Sequence, residues 1–183
     1  MLSSKKGQVR RDIADLIMTE VAAGRLEALI ARAPDFYGPD INNSVLLELV
    51  YKNILKGKRP NWFIDASKKH SFIYTPDAAK ATAILGNTPD AYNQVWHLPT
   101  DAATLTGEEL IALFNKEMNT NKKLMTLSLF MLKLLGFFMP LMREMPEMMY
   151  QYDRDYFFDS SKFTQRFNFI PTTYQQGIKQ VAS

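Results

Sequence analysis

The side chains best suited to chemistry gather where an apolar run gives out. Leu26 to Ala31 is apolar but for Glu27, ends in the charged Arg32, and passes at once into Ala33-Pro34-Asp35-Phe36-Tyr37-Gly38-Pro39. A carboxylate and two aromatics among turn formers is the composition of a strand that leaves a sheet and opens into a site. Open α/β sheets bind ligands outside the carboxyl ends of their strands. Asp35, Phe36 and Tyr37 are therefore candidate substrate contacts. The plainer reading is a turn that caps a strand and fills a core edge. His70 is a further candidate, with an exposed histidine beside Lys68 and Lys69 as its plain alternative.

Stepping outward from that segment, the spacing predicts the elements that must position it. Val9, Ile13, Leu16, Ile17 and Val21 fall on one face of a helix over 6–23, and Gly24 is a natural stop. Residues 26–32 then read as a central, parallel strand, because both faces are apolar. A helix over 45–56 follows, with Asn43 or Ser44 able to cap it. Residues 60–65 and 71–74 read as short strands joined by a polar, hairpin-like link, Ser67-Lys68-Lys69. Thr75-Pro76-Asp77 reads as a helix start with a capping hydroxyl, and Asp77 serves that helix terminus. Residues 94–98 read as a second strand of the main sheet. Thr106 with Glu109 forms a capping box. Beyond it lie a short extended piece at 122–126, helices near 127–136 and 138–151, a short helix or turn over 159–167, and a final helix from Thr172. His97, Trp62 and Trp96 read as core, and the late methionines as core filling or an adaptable apolar wall.

Composition narrows the function. The 183 residues suffice for about one domain with a real core. With 22 basic and 19 acidic residues the net charge is +3, too balanced to argue for nucleic acid, and no basic run exceeds two residues. The absence of cysteine excludes disulfides, thiolate metal sites and cysteine nucleophiles. Two histidines far apart exclude a histidine-rich metal site, so no metal is expected. No signal peptide follows Met1, which makes the cytoplasm the default. The apolar stretch 124–142 approaches the length of a membrane span, but Lys133, Gly136 and Pro140 interrupt it. No membrane partner is expected, and attachment through that stretch stands as a third, lesser reading.

Three motifs carry a resemblance that covers the whole chain. Arg32-Ala33-Pro34-Asp35-Phe36-Tyr37-Gly38-Pro39 resembles an Arg-x-x-Asn-x-Tyr-Gly-Pro turn, with Asp35 where asparagine is usual. His70-Ser71-Phe72-Ile73 through Asp77, Ala79 and Ala81 resembles an Arg-x-Phe-Ile-x-Val-x-Asp-x-Ala-x-Ala segment. Val95-Trp96-His97-Leu98-Pro99, followed by Leu105 to Leu110, resembles the strand and helix that come next. In this order and spacing they resemble the C-terminal half of the NAD-dependent epimerase/dehydratase family, the extended or atypical short-chain dehydrogenases/reductases.

The resemblance implies an α/β fold: a partial Rossmann-type unit with late parallel strands, followed by a mostly helical substrate-binding region. Residues 1–100 would belong to the first and 101–183 to the second, within one compact unit. It implies NAD or NADP as the cofactor of a full-length parent, not held tightly by this chain alone. It implies a small-molecule substrate, such as a nucleotide sugar or another carbonyl or hydroxyl compound. It also implies a homodimer through helix 6–23. Ala33 and Pro34 would line the nicotinamide, and Asp35, Phe36, Tyr37 and His70 would meet substrate. The family's Tyr-x-x-x-Lys pair falls, in the preferred register, on Lys6 and Arg10, and in a second register lysine 5 or 6 takes the lysine's place. No tyrosine stands there in either, and no glycine-rich dinucleotide turn occurs. Two parallel strands cannot form a stable doubly wound sheet alone, so a further Rossmann half is expected before Met1. The expected function is the substrate-binding half of an NAD(P)-dependent epimerase, dehydratase or reductase, inactive alone. The alternative is a non-catalytic module that binds a ligand or a protein.

Overall fold

The computed structural model describes residues 4–136 and 145–183. Helix α1 spans Lys5–Ala22, and Ser4 caps it by accepting from the Gly7 amide at 3.0 Å. Gly24, at φ +68°, turns the chain out of the helix. Strands β1 (Ile30–Arg32) and β2 (Asp35–Tyr37) follow, separated only by Ala33 and Pro34. A π-helical turn over Leu47–Tyr51 runs into α2, Lys52–Leu55. Ser44 starts it: its hydroxyl accepts from the Leu47 amide at 3.3 Å and donates to the Phe36 carbonyl at 2.7 Å. Then come β3 (Asn61–Phe63), β4 (Phe72–Tyr74), α3 (Thr75–Gly86) and β5 (Val95–His97). The chain continues through α4 (Gly107–Glu117), β6 (Met125–Leu127) and α5 (Leu129–Gly136). A 3-10 segment, Met145–Gln151, precedes α6 (Ser161–Phe167) and α7 (Tyr174–Ala182).

The described strands form three parallel pairs: β1 with β5, β2 with β4, and β3 with β6. Ile30 lies opposite Val95, Asp35 opposite Phe72, and Asn61 opposite Met125. β4 lies between two cores. Phe72 and Tyr74 enter the larger one, with Trp62, Phe114 and Tyr174, while Ile73 enters the smaller, with Ala81, Leu85 and Trp96. Successive side chains of a strand point to opposite faces, so a strand buried on both must be apolar throughout. Trp62 and Trp96 are core, as expected. The capping box forms, with Thr106 and Glu109 each satisfying the other's amide. Ala78, Ala81 and Leu85 give α3 its buried face, whereas Ala79 and Ala83 face outward.

Several expectations are corrected. β3 and β4 do not form a hairpin: each takes a parallel partner from elsewhere, β6 and β2, while Trp62 and Phe63 of β3 and Phe72 and Tyr74 of β4 enter the same larger core. Thr75 is the first helical residue rather than the cap, and its hydroxyl donates to the Tyr37 carbonyl at 3.0 Å. Asp77 lies in the first turn of α3, as expected, and does more than serve that terminus. Its carboxylate accepts from the Thr172 amide at 2.6 Å, tying α3 to the C-terminal segment. β1 is not central among the described residues, having one neighbour only and exposed Ala31 and Arg32. α1 has no buried residue, and Val9, Ile13 and Leu16 stand in solvent. Residues 137–144 lie outside the described residues, so the apolar stretch 124–142 and the helix expected near 138–151 fall partly outside them. No helix among the described residues is long and apolar enough to cross a membrane.

Candidate functional site

Pro34 is buried at the corner where β1 gives way to β2, and it delivers Asp35 to the first position of β2. The β2–β4 register sets Asp35 opposite Phe72, two residues beyond His70. Segment 151–158 is laced along the approach to β4. Tyr156 donates its amide to the Lys69 carbonyl at 2.9 Å and accepts from the Ser71 amide at 3.0 Å. The Phe158 amide donates to the Ser71 hydroxyl oxygen at 3.0 Å. This strap carries Tyr152 over the histidine.

His70 is not the exposed histidine of the plain alternative: it is 1% exposed. Its ring stacks on Tyr152 with centroids 4.4 Å apart and planes at 15°, and Phe72 and Tyr156 close the remaining sides. Nε2 lies 3.0 Å from Asp35 Oδ2, and Nδ1 lies 3.1 Å from the Gln151 carbonyl. The Tyr152 hydroxyl donates to the same Asp35 oxygen at 3.0 Å. A carbonyl only accepts, so Nδ1 carries a proton. The second contact needs a proton between ring and carboxyl.

Burial pushes the Asp35 carboxyl up. The hydrogen bond and charge of His70, the Tyr152 hydroxyl and the charge of Arg10 outweigh it and hold Asp35 below the usual carboxylate range. Asp35 is thus an ionised acceptor and a poor base. Its Oδ2 is taken twice, while Oδ1 makes no hydrogen bond among the described residues. With 36% of the side chain open, Oδ1 is available to a hydroxyl or amine donor. Tyr152 moves the opposite way: burial, then the charge and hydrogen bond of Asp35, push its phenol well above the ordinary range. It holds its proton and positions the carboxylate.

The other predicted residues divide. Phe36 is exposed beside Asp35. Tyr37 is buried in the larger core, packed on Tyr74 and Tyr174, and its hydroxyl has no hydrogen-bond partner among the described residues. Ala33 is half-buried against the smaller core. Lys6 and Arg10 are exposed on α1, and Arg10 is brought into electrostatic reach of Asp35. Tyr152 and Gln151 were not singled out by sequence reasoning. The only local signal is the spacing of Tyr150, Tyr152 and Tyr156 in a polar stretch. His97 is half-buried, its Nδ1 2.7 Å from the Asp159 carbonyl and its ring stacked on Phe158. No cluster of three or more metal-ligating side chains occurs among the described residues.

No family model matches the chain, and no curated protein does. Its fold does match solved structures. dTDP-glucose 4,6-dehydratase from Bacillus anthracis str. Ames, solved with NAD, superposes with a TM-score of 0.77 at 16% identity, over 98% of this chain and 51% of that one. UDP-glucuronic acid 4-epimerase from Bacillus cereus, solved with UDP-glucuronic acid and NAD, gives 0.75 at 16%, over 96% and 50%. UDP-N-acetylglucosamine 4-epimerase from Methanobrevibacter ruminantium M1, solved with UDP-N-acetylmuramic acid, gives 0.70 at 16%, over 96% and 51%. The chain spans about half the length of these structures. At such identity the likeness is one of fold: a mixed α/β chain of short parallel strand pairs that matches half of each.

Proposed function

We propose that this chain is the substrate-side, C-terminal half of an NAD(P)-dependent epimerase, dehydratase or reductase acting on a nucleotide sugar or a related hydroxyl compound. The observation that carries the reading is Asp35. It is an ionised, part-open carboxylate just past the end of a parallel strand, fixed by His70 and Tyr152 from two distant parts of the sequence. Such a group orients a substrate hydroxyl, and positioning is most of what a hydride-transfer site asks of its protein. The half-length match to dinucleotide-bound enzymes supports the same reading.

Ala33 and Pro34, at the strand corner, would flank the nicotinamide, and Lys6 and Arg10 would lie toward the ribose. A glycine-rich pyrophosphate cradle is absent from this sequence. When bound, the cofactor supplies hydride transfer. This chain's part is to accept a hydrogen bond at Asp35 and to keep His70 and Tyr152 dry. A homodimer through α1 belongs to the same reading.

A second reading, a non-catalytic ligand-binding module, is favoured by the tyrosines. The chemistry needs a phenol of lowered pKa, yet Tyr37, Tyr74, Tyr152, Tyr156 and Tyr174 are all raised, burial being the largest cause for each. The test joins this chain to the reading frame immediately upstream and follows NADH fluorescence. The enzyme reading expects binding, with UDP-glucuronic acid or dTDP-glucose perturbing the signal in wild type and not in Asp35→Ala. An upstream frame without a glycine-rich strand-turn-helix, or a joined protein blind to NADH, overturns it in favour of the module.

A further inference from the structure

We infer that His70 is a pH-sensitive latch: its doubly protonated ring fastens the strap 151–158 beside Asp35, and loss of one ring proton releases the strap at Gln151. On the reading of Asp35 as a ligand-facing carboxylate, on which this rests, the latch sets whether that carboxylate is held in place.

The geometry fixes where the protons are. Nδ1 lies 3.1 Å from the Gln151 carbonyl and Nε2 lies 3.0 Å from Asp35 Oδ2. Neither partner can donate: a carbonyl has no proton, and Asp35 is held ionised. Both ring nitrogens are therefore donors, and the ring is an imidazolium. It is buried, so water does not stand in for either partner.

The two contacts are unequal when one proton leaves. A hydrogen bond to an ionised carboxylate is the stronger kind. The remaining proton therefore stays on Nε2, and Nδ1 turns a lone pair toward the Gln151 carbonyl. Two acceptors 3.1 Å apart repel, and a buried carbonyl is left unanswered. Gln151 is where the 3-10 segment passes into the strap, and Tyr152 comes next. The Tyr152 phenol donates to Asp35 Oδ2, so a shift at Gln151 moves the group that positions the carboxylate. The strap's ties to Lys69 and Ser71 lie further along, at Tyr156 and Phe158, and release begins at the Gln151 end.

The other ionisable groups around the ring are otherwise engaged. Tyr152 and Tyr156, on the strap, are pushed up by burial and keep their protons. Arg10, on α1, acts on Asp35 through its charge. Lys69, next in sequence, is exposed. Asp155 accepts from the Lys69 amide at 3.0 Å, and Glu109 from the Thr106 amide at 2.8 Å. Phe72, on β4, carries no charge.

The chain has two histidines, which makes the ring directly readable. The test is nitrogen NMR of the full chain carrying labelled histidine, with His97→Gln to assign the signals. It runs from about pH 5 to about pH 8, where histidine ordinarily changes charge. At the acid end both His70 nitrogens should read as protonated, and with rising pH Nδ1 alone should lose its proton. Over the same interval the Tyr152 and Tyr156 amides, bonded to the Met149 and Lys69 carbonyls, should lose protection against hydrogen exchange. The loss should be about tenfold beyond the intrinsic rise of exchange with pH. Asp35→Asn separates a latch from a merely structural histidine. The new side-chain amide donates to Nε2, so a neutral ring keeps its Nδ1 proton on Gln151 and protection should no longer vary with pH. Neither readout uses cofactor or sugar, so failure here leaves the NADH test untouched, and a joined protein blind to NADH leaves this result standing. A ring that holds both protons, or only one, across the range would overturn the proposal. So would loss of the Nε2 proton first, protection that follows the intrinsic rate alone, or the same loss of protection in Asp35→Asn.

Discussion

The ground around His70 and the ground around α1 are built on opposite terms. At His70 two ring nitrogens, one carboxylate oxygen of Asp35 and a phenol are hydrogen-bonded behind a wall of aromatics, and only the other Asp35 oxygen is left open. Along α1 an 18-residue helix has local capping and no buried side chain, although Val9, Ile13, Leu16, Ile17 and Val21 recur at helical spacing. Hydrophobic periodicity states what a face is suited for, and only the rest of the fold decides whether it is covered. Stability should therefore be concentrated at His70 and nearly absent along α1. The expected effects fall in that order.

The largest belongs to Tyr152. Its ring packs edge-on to Trp62 and Phe63 and stacks on His70, and it is nearly fully buried. Tyr152→Ala should cost about 3–5 kcal/mol in chemical denaturation, the range for deleting a buried aromatic. Tyr152→Phe keeps the packing and removes one hydrogen bond to a charged group, about 1.5–3 kcal/mol at most. If the two variants cost the same, packing is not what closes this site.

Gly107 comes next. A Cβ there would stand 2.4 Å from Trp62 Cε2, and Trp62 is boxed in by Phe72 and Tyr152. Gly107→Ala should cost about 1–3 kcal/mol by overpacking, despite the better helix propensity of alanine. A neutral or stabilising result would mean that this core gives way easily, and the contrast with α1 would weaken.

The third effect is a dependence on pH. Asp35 has a lower pKa folded than unfolded. Its contribution to stability is present above the unfolded value, about pH 4, and is lost as pH falls through the folded value. Wild type should lose stability toward acid more steeply than Asp35→Asn. With a third of the side chain exposed, screening keeps the difference small, about 1 kcal/mol. Parallel denaturation midpoints for the two proteins across that acid range would show that the His70 contact contributes nothing.

These regions also differ in how far the sequence discloses them. Helix ends were legible where the signal is local, as with Thr106 and Glu109, which cap each other within one turn. The β1–β5 strands were legible from apolar runs. The partners of β3 and β4 were not, because three-residue strands are paired by distant residues whose register leaves no local trace. At the site, Asp35 and His70 could be named by type, 35 residues apart. Tyr152 is 117 residues from Asp35 and lies in a strap without helical or strand periodicity, so only tertiary contact reveals it.

The smallest effect is the most telling about α1. Ile13→Ser and Leu16→Ser remove large apolar groups from positions that any reading of periodicity would place in a core. In this chain they should change stability by no more than about 0.5 kcal/mol, because both side chains are more than half exposed and exposed substitutions rarely do more. In a polypeptide that also carries a Rossmann half, or in a homodimer through α1, the same substitutions should become costly, since the stripe would then be covered. Melting both variants in the chain alone and in the joined protein separates these cases. A large loss in the chain alone would mean that α1 is already buried by self-association, and the contrast between the two regions would disappear.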